Sequence, residues 1–381
     1  MDRTVFDEEH DEFRASVRGV LDRVVAPQAE AHREHGSIGR DVWRALGEQG
    51  FLGFMVPIEY GGGGVDDFRY NAVLAEELTR FGVAYASSIG INTDVVAPYL
   101  IELTTEEQRK RWLPAFCTGD LVTAIGMTEP SAGSDLAALR TTARRDGSDW
   151  VLDGAKTFIT NGASADLVIV AARTTPGERS RGITLFAIEA DAPGFERGRK
   201  LDKVGQPEAD TAELYFDGAR VSADNVLGEV DGGFAQMMVR LPQERLSVAV
   251  VGAAHARWML DETLAYVKER SAFGQPIGSF QANKFTLADL DAQVAMARSF
   301  VDACLLARAR GRLDPIDASR AKLVATEVQG RVADAAVQLH GGYGYMRETA
   351  VARAWLDARV TRIWAGSSEI MREVIGRSLG L

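Results

Sequence analysis

Two adjacent residues, Glu244 and Arg245, set a carboxylate beside a guanidinium within LPQERLSVAVVGAA (241–254). The residues after them are mostly small or apolar, as in a segment entering a core. One reading is local: Pro242 stands near the first position of a helix, and Glu244 lies a turn inside, where its charge suits the macrodipole. The other is chemical: a carboxylate held at the edge of a core can take a proton from a bound molecule. This stretch alone leaves both open.

Most other catalytic arrangements can be excluded. His32 and His35 stand three apart on a charged helix end, and His10, His255 and His340 stand singly, so no metal site is expected. The two cysteines, Cys117 and Cys304, form no CxxC pair, which argues against a disulfide framework or a thiolate metal site. No GxSxG elbow occurs, and GGYGYM lies between helical segments rather than between a strand and a helix, so a nicotinamide-binding βαβ unit is not expected. IGMTEPSAGSDL (125–136) is rich in turn and hydroxyl residues whose backbone N–H groups can meet a polar or anionic ligand.

These residues are carried by three stretches of different periodicity. From Phe6 to about Cys117 the apolar residues recur at helical spacing, with Phe6, Phe13, Val17, Val20, Leu21, Val24 and Val25 on one stripe. The four glycines Gly61 to Gly64 interrupt this region as a flexible turn. From about Leu121 to Glu229 short β-branched runs prevail, and WVLDGAKTFIT and AELYFDGARV each carry an Asp-Gly pair that signals a hairpin turn. Helical periodicity returns over roughly 235–270, 280–311, 316–340 and 348–377, an antiparallel four-helix bundle. The expected domains are therefore 1–120, 121–230 and 231–381.

The chain has 381 residues, 46% hydrophobic and 25% charged, with a net charge of −11 and no basic block. Nucleic acid and anionic membrane surfaces are poor partners for such a charge. No apolar run approaches a membrane span, and the opening residues lack the apolar run of a signal peptide, so a cytoplasmic location is the expectation.

MTEPSAGSDL (127–136) resembles the flavin loop of the acyl-CoA dehydrogenases. Five further motifs come in the order found in that family: KTFITNG (156–162), DTAELYFDGARVSADNVLG (210–228, matching the family's closing hairpin), ERSAFGQPIGSFQ (269–281), QLHGGYGYM (338–346) and RIWAGSSEIMREVIGR (362–377). The similarity spans essentially the whole chain and is nearest to the long-chain and isovaleryl branches. It implies an α+β multidomain fold: an N-terminal α-helical domain, a middle antiparallel β-barrel-like domain and a C-terminal four-helix bundle. It also implies FAD, an acyl-CoA substrate oxidised to the trans-2-enoyl-CoA, a homotetramer and an electron-transfer flavoprotein as acceptor. In this chemistry a base removes the α-proton while the β-hydrogen leaves as hydride to flavin N5.

Most branches of the family carry their basic glutamate in the last motif, immediately before a Gly-[Thr/Ser] pair. Here that position is Ala365, which can neither take nor give a proton. Branches with a small residue there hold the glutamate on the first bundle helix, and the matching residue is Glu244. The resemblance thus makes Glu244 the base. It gives Arg245 the task of ordering the site by pairing with a carboxylate or carbonyls, and Ala365 N–H, beside Gly366, that of holding the thioester oxygen. Met127, Thr128, Gly133 and Ser134 are implied to meet the flavin or the pantetheine arm. The resemblance likewise implies that Phe158, Ile159 and Thr160 line the flavin ring. Arg270, Phe273 and Gln281, with Gln338, Leu339, Gly341 and Gly342 of a neighbouring subunit, are implied to hold the dinucleotide, and Ser367 and Glu369 to flank the adenosine. YASSIGINTDVV (85–96) is implied to floor the acyl pocket, for a medium-to-long or branched acyl group. The alternatives are a carrier-protein thioester as substrate, oxygen as acceptor, or a non-catalytic flavin-binding or acyl-CoA-binding subunit, which Ala365 favours and Glu244 opposes.

Overall fold

A computed structural model describes residues 3–381. The first part is helical: α1 (Glu8–Val24), α2 (Ala29–His35), α3 (Arg40–Glu48), α4 (Phe68–Leu78), α5 (Val83–Gly90), a π-helical turn (Ile91–Val96), α6 (Ala97–Glu102) and α7 (Glu106–Thr118). Local chemistry sets several of the ends. Thr105 and Gln108 close a reciprocal capping box on α7, Gln108 N donating to Thr105 Oγ1 (3.3 Å) and Thr105 N to Gln108 Oε1 (2.7 Å). The stripe read from the sequence is buried where it matters, with Val17, Val20, Leu21 and Val25 in the core.

The middle part is a sheet of β1 (Thr123–Gly126), β2 (Thr142–Asp146), β3 (Asp149–Thr160), β4 (Leu167–Arg173), β5 (Ile183–Glu189), β6 (Phe195–Lys200), β7 (Thr211–Val221) and β8 (Val226–Leu227), ordered β6-β7-β3-β2-β4-β5-β8 with β1 on β4. It is not wholly antiparallel: β1 runs parallel to β4. The two Asp-Gly pairs are not hairpin turns. β3 and β7 each run straight through them, and the pairs face one another at a bulge, where the register shifts between Leu152/Ala219 and Gly154/Phe216. Gly218 N donates to Asp153 Oδ1 (2.8 Å), and the positive φ of Gly154 (147°) and Gly218 (61°) meets the bulge's need for glycine. The segment expected to close as a hairpin at 210–228 instead gives β7 to β3 and β6, and β8 to β5. β4 is buried on both faces: Val168 and Val170 point into the sheet's own core, and Leu167 and Ile169 toward the N-terminal helices.

The last part comprises α8 (Gly233–Glu269), a short hairpin of β9 (Ser271–Ala272) and β10 (Gln275–Pro276), α9 (Gln281–Ala309), α10 (Pro315–His340), α11 (Ala350–Ala358) and α12 (Ser368–Ser378). Asp314 caps α10, accepting from Ile316 N (2.6 Å), with Pro315 at the first helical position. Two expectations fail here. Glu244 is not at a helix start: α8 begins nine residues before Pro242 and continues through it. Proline cannot donate to the carbonyl four residues back, but the turn before it is anchored independently. Met237 is buried against Leu185 and Leu227 of the sheet, and Arg240 pairs with Glu102 on α6 (2.6 Å). The fourth bundle segment is also broken. A turn at 363–367 separates α11 from α12, with Ala365 (φ 50°) and Gly366 (φ 88°) in left-handed backbone. Among the described residues no helix is long and apolar enough to cross a membrane.

Candidate active site

A cavity of about 790 Å³ lies where the three parts meet. Its wall includes Met127, Thr128, Gly133 and Ser134 from the loop after β1, and Phe158, Ile159 and Thr160 from the end of β3. Glu244 and Arg245 come from α8, and Ala365 and Gly366 from the turn before α12. Residues from separate runs of sequence are thereby brought to one place.

Each is positioned by local chemistry. The β3–β7 register shifts again between Lys156 and Ile159, and Phe158 takes a left-handed backbone (φ 60°). As a result Phe158 stands 68% exposed on the cavity side while Ile159 is 3% exposed in the core. The 127–134 loop is fastened to β3 by a buried ion pair, Lys156 Nζ to Glu129 Oε1 (2.8 Å). Thr157 N adds a bond to the Thr128 carbonyl (3.0 Å). Glu129 also accepts from Arg140 N (2.6 Å) and Thr141 N (2.9 Å), so the carboxylate is fully occupied and its pKa is held down despite burial. Neither Glu129 nor Lys156 was singled out in the sequence. The available signal was a lysine at an inward position of a strand, beside a loop containing one glutamate.

Glu244 is buried and accepts from the Tyr99 hydroxyl on α6 (3.2 Å). Burial pushes its carboxyl up to about 7, against the opposing pull of Tyr99, Arg245 and Arg240. A carboxylate so placed is a base matched to neutral pH. Arg245 finds no carboxylate among the described residues: its Nη1 donates to Ser319 Oγ on α10 (3.0 Å), and burial lowers its pKa. A side chain built on Gly366 would place its first carbon 3.9 Å from Arg245 Nη2, so the arginine lies against the 363–367 turn. Buried Lys322 on α10 donates to the Gly366 carbonyl, fixing the turn from below, and burial lowers its pKa to about 8. Among the described residues the Ala365 N–H donates to no other group of the chain, leaving it free beside the cavity.

The remaining predicted residues lie elsewhere. Arg270, Leu339, Gly341 and Gly342 line a second cavity of about 510 Å³, with Tyr266 stacked on His340 at 4.1 Å. Phe273 (97% exposed), Gln281 and Gln338 project from the surface near these elements. Ser367 caps α12, accepting from Ile370 N (3.4 Å), and Glu369 is exposed one residue into that helix. One group of possible ligands, Asp7, Glu9 and His10, lies far in sequence from either cavity; its two carboxylates are exposed, and His10 Nδ1 already accepts from Asp7 N (3.2 Å).

Three family models match the chain in order: the N-terminal domain of acyl-CoA dehydrogenase over residues 7–120, the middle domain over 124–219 and the C-terminal domain over 231–380. This chain belongs to the acyl-CoA dehydrogenase family. The long-chain specific acyl-CoA dehydrogenase of Sus scrofa mitochondria is 43% identical over 99% of this chain and 88% of its own length. An acyl-CoA dehydrogenase from Geobacillus kaustophilus superposes with a TM-score of 0.98 over all of both chains at 45% identity. A glutaryl-CoA dehydrogenase from Mycobacterium smegmatis, in complex with FADH2, superposes with a TM-score of 0.92 at 27% identity, covering 98% of this chain and 95% of its own.

The enzyme is an FAD-dependent oxidoreductase, and its residues fit the cofactor. Phe158 offers an exposed aromatic face inside a cavity wall. A Cβ on Gly133 would meet nothing, so this part of the loop leaves its backbone open to the cavity. Gly341 needs glycine for its φ of 60°, and a Cβ on Gly341 or Gly342 would meet nothing within 4 Å among the described residues. The bare backbone there is open to a ligand or a neighbouring copy. Arg270 has no carboxylate partner among the described residues and is free for a phosphate.

Proposed function

We propose that the enzyme catalyses α,β-dehydrogenation of an acyl-CoA thioester, with Glu244 as the base that removes the α-proton. The observation that carries this is a buried carboxylate with a pKa raised to about 7, in the same cavity as the alanine that replaces the usual base. Phe158–Thr160 and the 127–134 loop would hold FAD, which when bound would supply the acceptor for the β-hydride.

The chain's own groups account for the rest. The free Ala365 N–H is placed to hold the thioester oxygen, lowering the cost of negative charge as the α-proton leaves. Its peptide keeps that orientation because the left-handed turn is held by Lys322 at the Gly366 carbonyl and by the packing of Arg245. The apolar wall, including Phe234, Met238, Leu241 and Val251, excludes water and so keeps Glu244 basic. Small residues at Ala86, Ser87 and Gly90 leave depth for a medium-to-long or branched acyl group.

A homotetramer is part of this proposal. Phe273, Tyr343 and Tyr345 are 97%, 62% and 77% exposed near the second cavity, which suits cover by another copy. An electron-transfer flavoprotein is the proposed acceptor. Anaerobic titration of the purified flavoprotein with saturated acyl-CoAs of graded length and branching tests the reading. Bleaching of the flavin band by one class supports it, and a perturbed but unbleached spectrum with every CoA thioester opposes it.

A further inference from the structure

Glu244 and its surroundings form a set of four side chains across one helix pair. On α6, Tyr99 and Glu102 are three residues apart, and on α8, Arg240 and Glu244 are four apart, so each pair shares a helix face. The Tyr99 hydroxyl donates to Glu244 Oε1 (3.2 Å), the Arg240 guanidinium lies over the Tyr99 ring (5.0 Å to its centre), and Arg240 Nη2 pairs with Glu102 (2.6 Å). Tyr99 is fully buried and Arg240 nearly so, whereas Glu102 reaches solvent. Nothing in the sequence marked Tyr99.

We infer that Tyr99 is a positioning residue for the base: it occupies Oε1 of Glu244 so that Oε2 is the oxygen presented to substrate, and Arg240, itself anchored by Glu102, strengthens it as a donor. This rests on Glu244 being the base. A phenol donates to a carboxylate more strongly than to a carboxylic acid, so the hydrogen bond favours the ionised form. A cation over the ring acts in the same direction by withdrawing electron density from the phenol. Other groups around Glu244 are Arg245 on the same helix and Lys322 on α10, which lies beside Arg245. Asp94, in the 91–96 turn, is engaged by Ser247, Asn71 and Thr93. None of these can replace the Tyr99 contact, because Arg245 is turned to Ser319 and Asp94 has its own donors.

The test is a pH titration of the holoenzyme followed by infrared spectroscopy. The Glu244 carboxyl C=O band is assigned by its loss in Glu244→Gln. The bond is to a charged group and, at 3.2 Å, is long for a hydroxyl donor, so its loss should have a modest effect. Tyr99→Phe should therefore move the midpoint of the band upward by about one pH unit. The rate of flavin bleaching by a saturated acyl-CoA should fall about five-fold at pH 7 and recover by pH 9, because the ionised fraction falls by that factor at the original midpoint. An unmoved midpoint, with the rate lowered equally at every pH, would overturn the inference and leave Tyr99 as packing alone. Arg240→Met keeps the phenol and removes a cation that also acts on Glu244 directly, so it should move the midpoint further with Tyr99 present than in the Tyr99→Phe background; equal movement in both overturns the part given to Arg240. Bleaching that survives in Glu244→Gln refutes the base assignment itself, a result separate from either midpoint.

Discussion

Glu244→Gln should stabilise the folded enzyme, and by an amount that grows with pH. The Glu244 carboxyl is raised from 4.5 in the unfolded chain to about 7 in the fold, with burial as the main cause. Folding therefore favours the protonated form. The group's contribution to stability is fully present below pH 4.5 and is lost as pH rises through 7. A shift of that size corresponds to about 3 kcal/mol in the alkaline limit, of which about 2.5 is lost between pH 5 and pH 8. Glutamine has the same shape, can still accept from Tyr99, and carries no charge to desolvate. For a chain of 381 residues melting as a unit, an unfolding entropy of about 2.1 cal/mol/K per residue makes 2.5 kcal/mol roughly 3 °C. Thermal melts of both proteins, with FAD saturating throughout, should show the variant's advantage widening by about that much from pH 5 to pH 8. A difference that stays constant with pH would refute the reasoning, because it would mean that the carboxylate is not ionising in a desolvated place.

Other changes probe the rest of the site. Lys156→Met strands Glu129 without its partner, which should cost about 3–5 kcal/mol and release the 127–134 loop; melting temperature and FAD lost on gel filtration report it. Gly90→Leu adds a branched side chain at the acyl end of the cavity, so kcat/KM for long acyl-CoAs should fall at least about tenfold relative to short ones. An unchanged chain-length profile would place the acyl group elsewhere. Ala365→Val puts a β-branched residue at a φ of 50°, where alanine already bears the cost of a Cβ and branching adds to it, so the variant should be less stable and its peptide N–H should turn. Substrate-driven flavin reduction should then fall by about two orders of magnitude with FAD still bound.

Periodicity exposed the helix–sheet–helix order because burying one face of a helix or strand leaves a mark in every few residues. Glycine and proline were harder to interpret, since their meaning depends on partners far away in sequence. The Asp153-Gly154 and Asp217-Gly218 pairs have the composition of hairpin turns, yet they face each other across two strands as one bulge. Pro242 has the signature of a helix start, but Met237 and Arg240 are tied to the sheet and to α6, and those ties carry α8 back to Gly233. The motif-bearing residues were legible, and one cavity gathers Glu244, Arg245, Ala365, Gly366, the 127–134 loop and the end of β3. Tyr99, Lys322 and Ser319 were not, because a single tyrosine, lysine or serine on an apolar helix gives no hint of the atom it will meet. The carboxylate or carbonyls expected opposite Arg245 proved to be a hydroxyl for the same reason.

The central claim is that proton abstraction has its base at Glu244, on α8, while Ala365 contributes only backbone. The most direct measurement is anaerobic stopped-flow reduction of the bound flavin by the best saturated acyl-CoA, with the wild-type protein and Glu244→Gln side by side and binding of the enoyl product as a control for an intact cavity. Fast bleaching is expected in the wild type and a loss of at least about three orders of magnitude in the variant, of the size expected when a base is removed from a desolvated site, with product binding retained. Near-normal bleaching by the glutamine variant would contradict that claim.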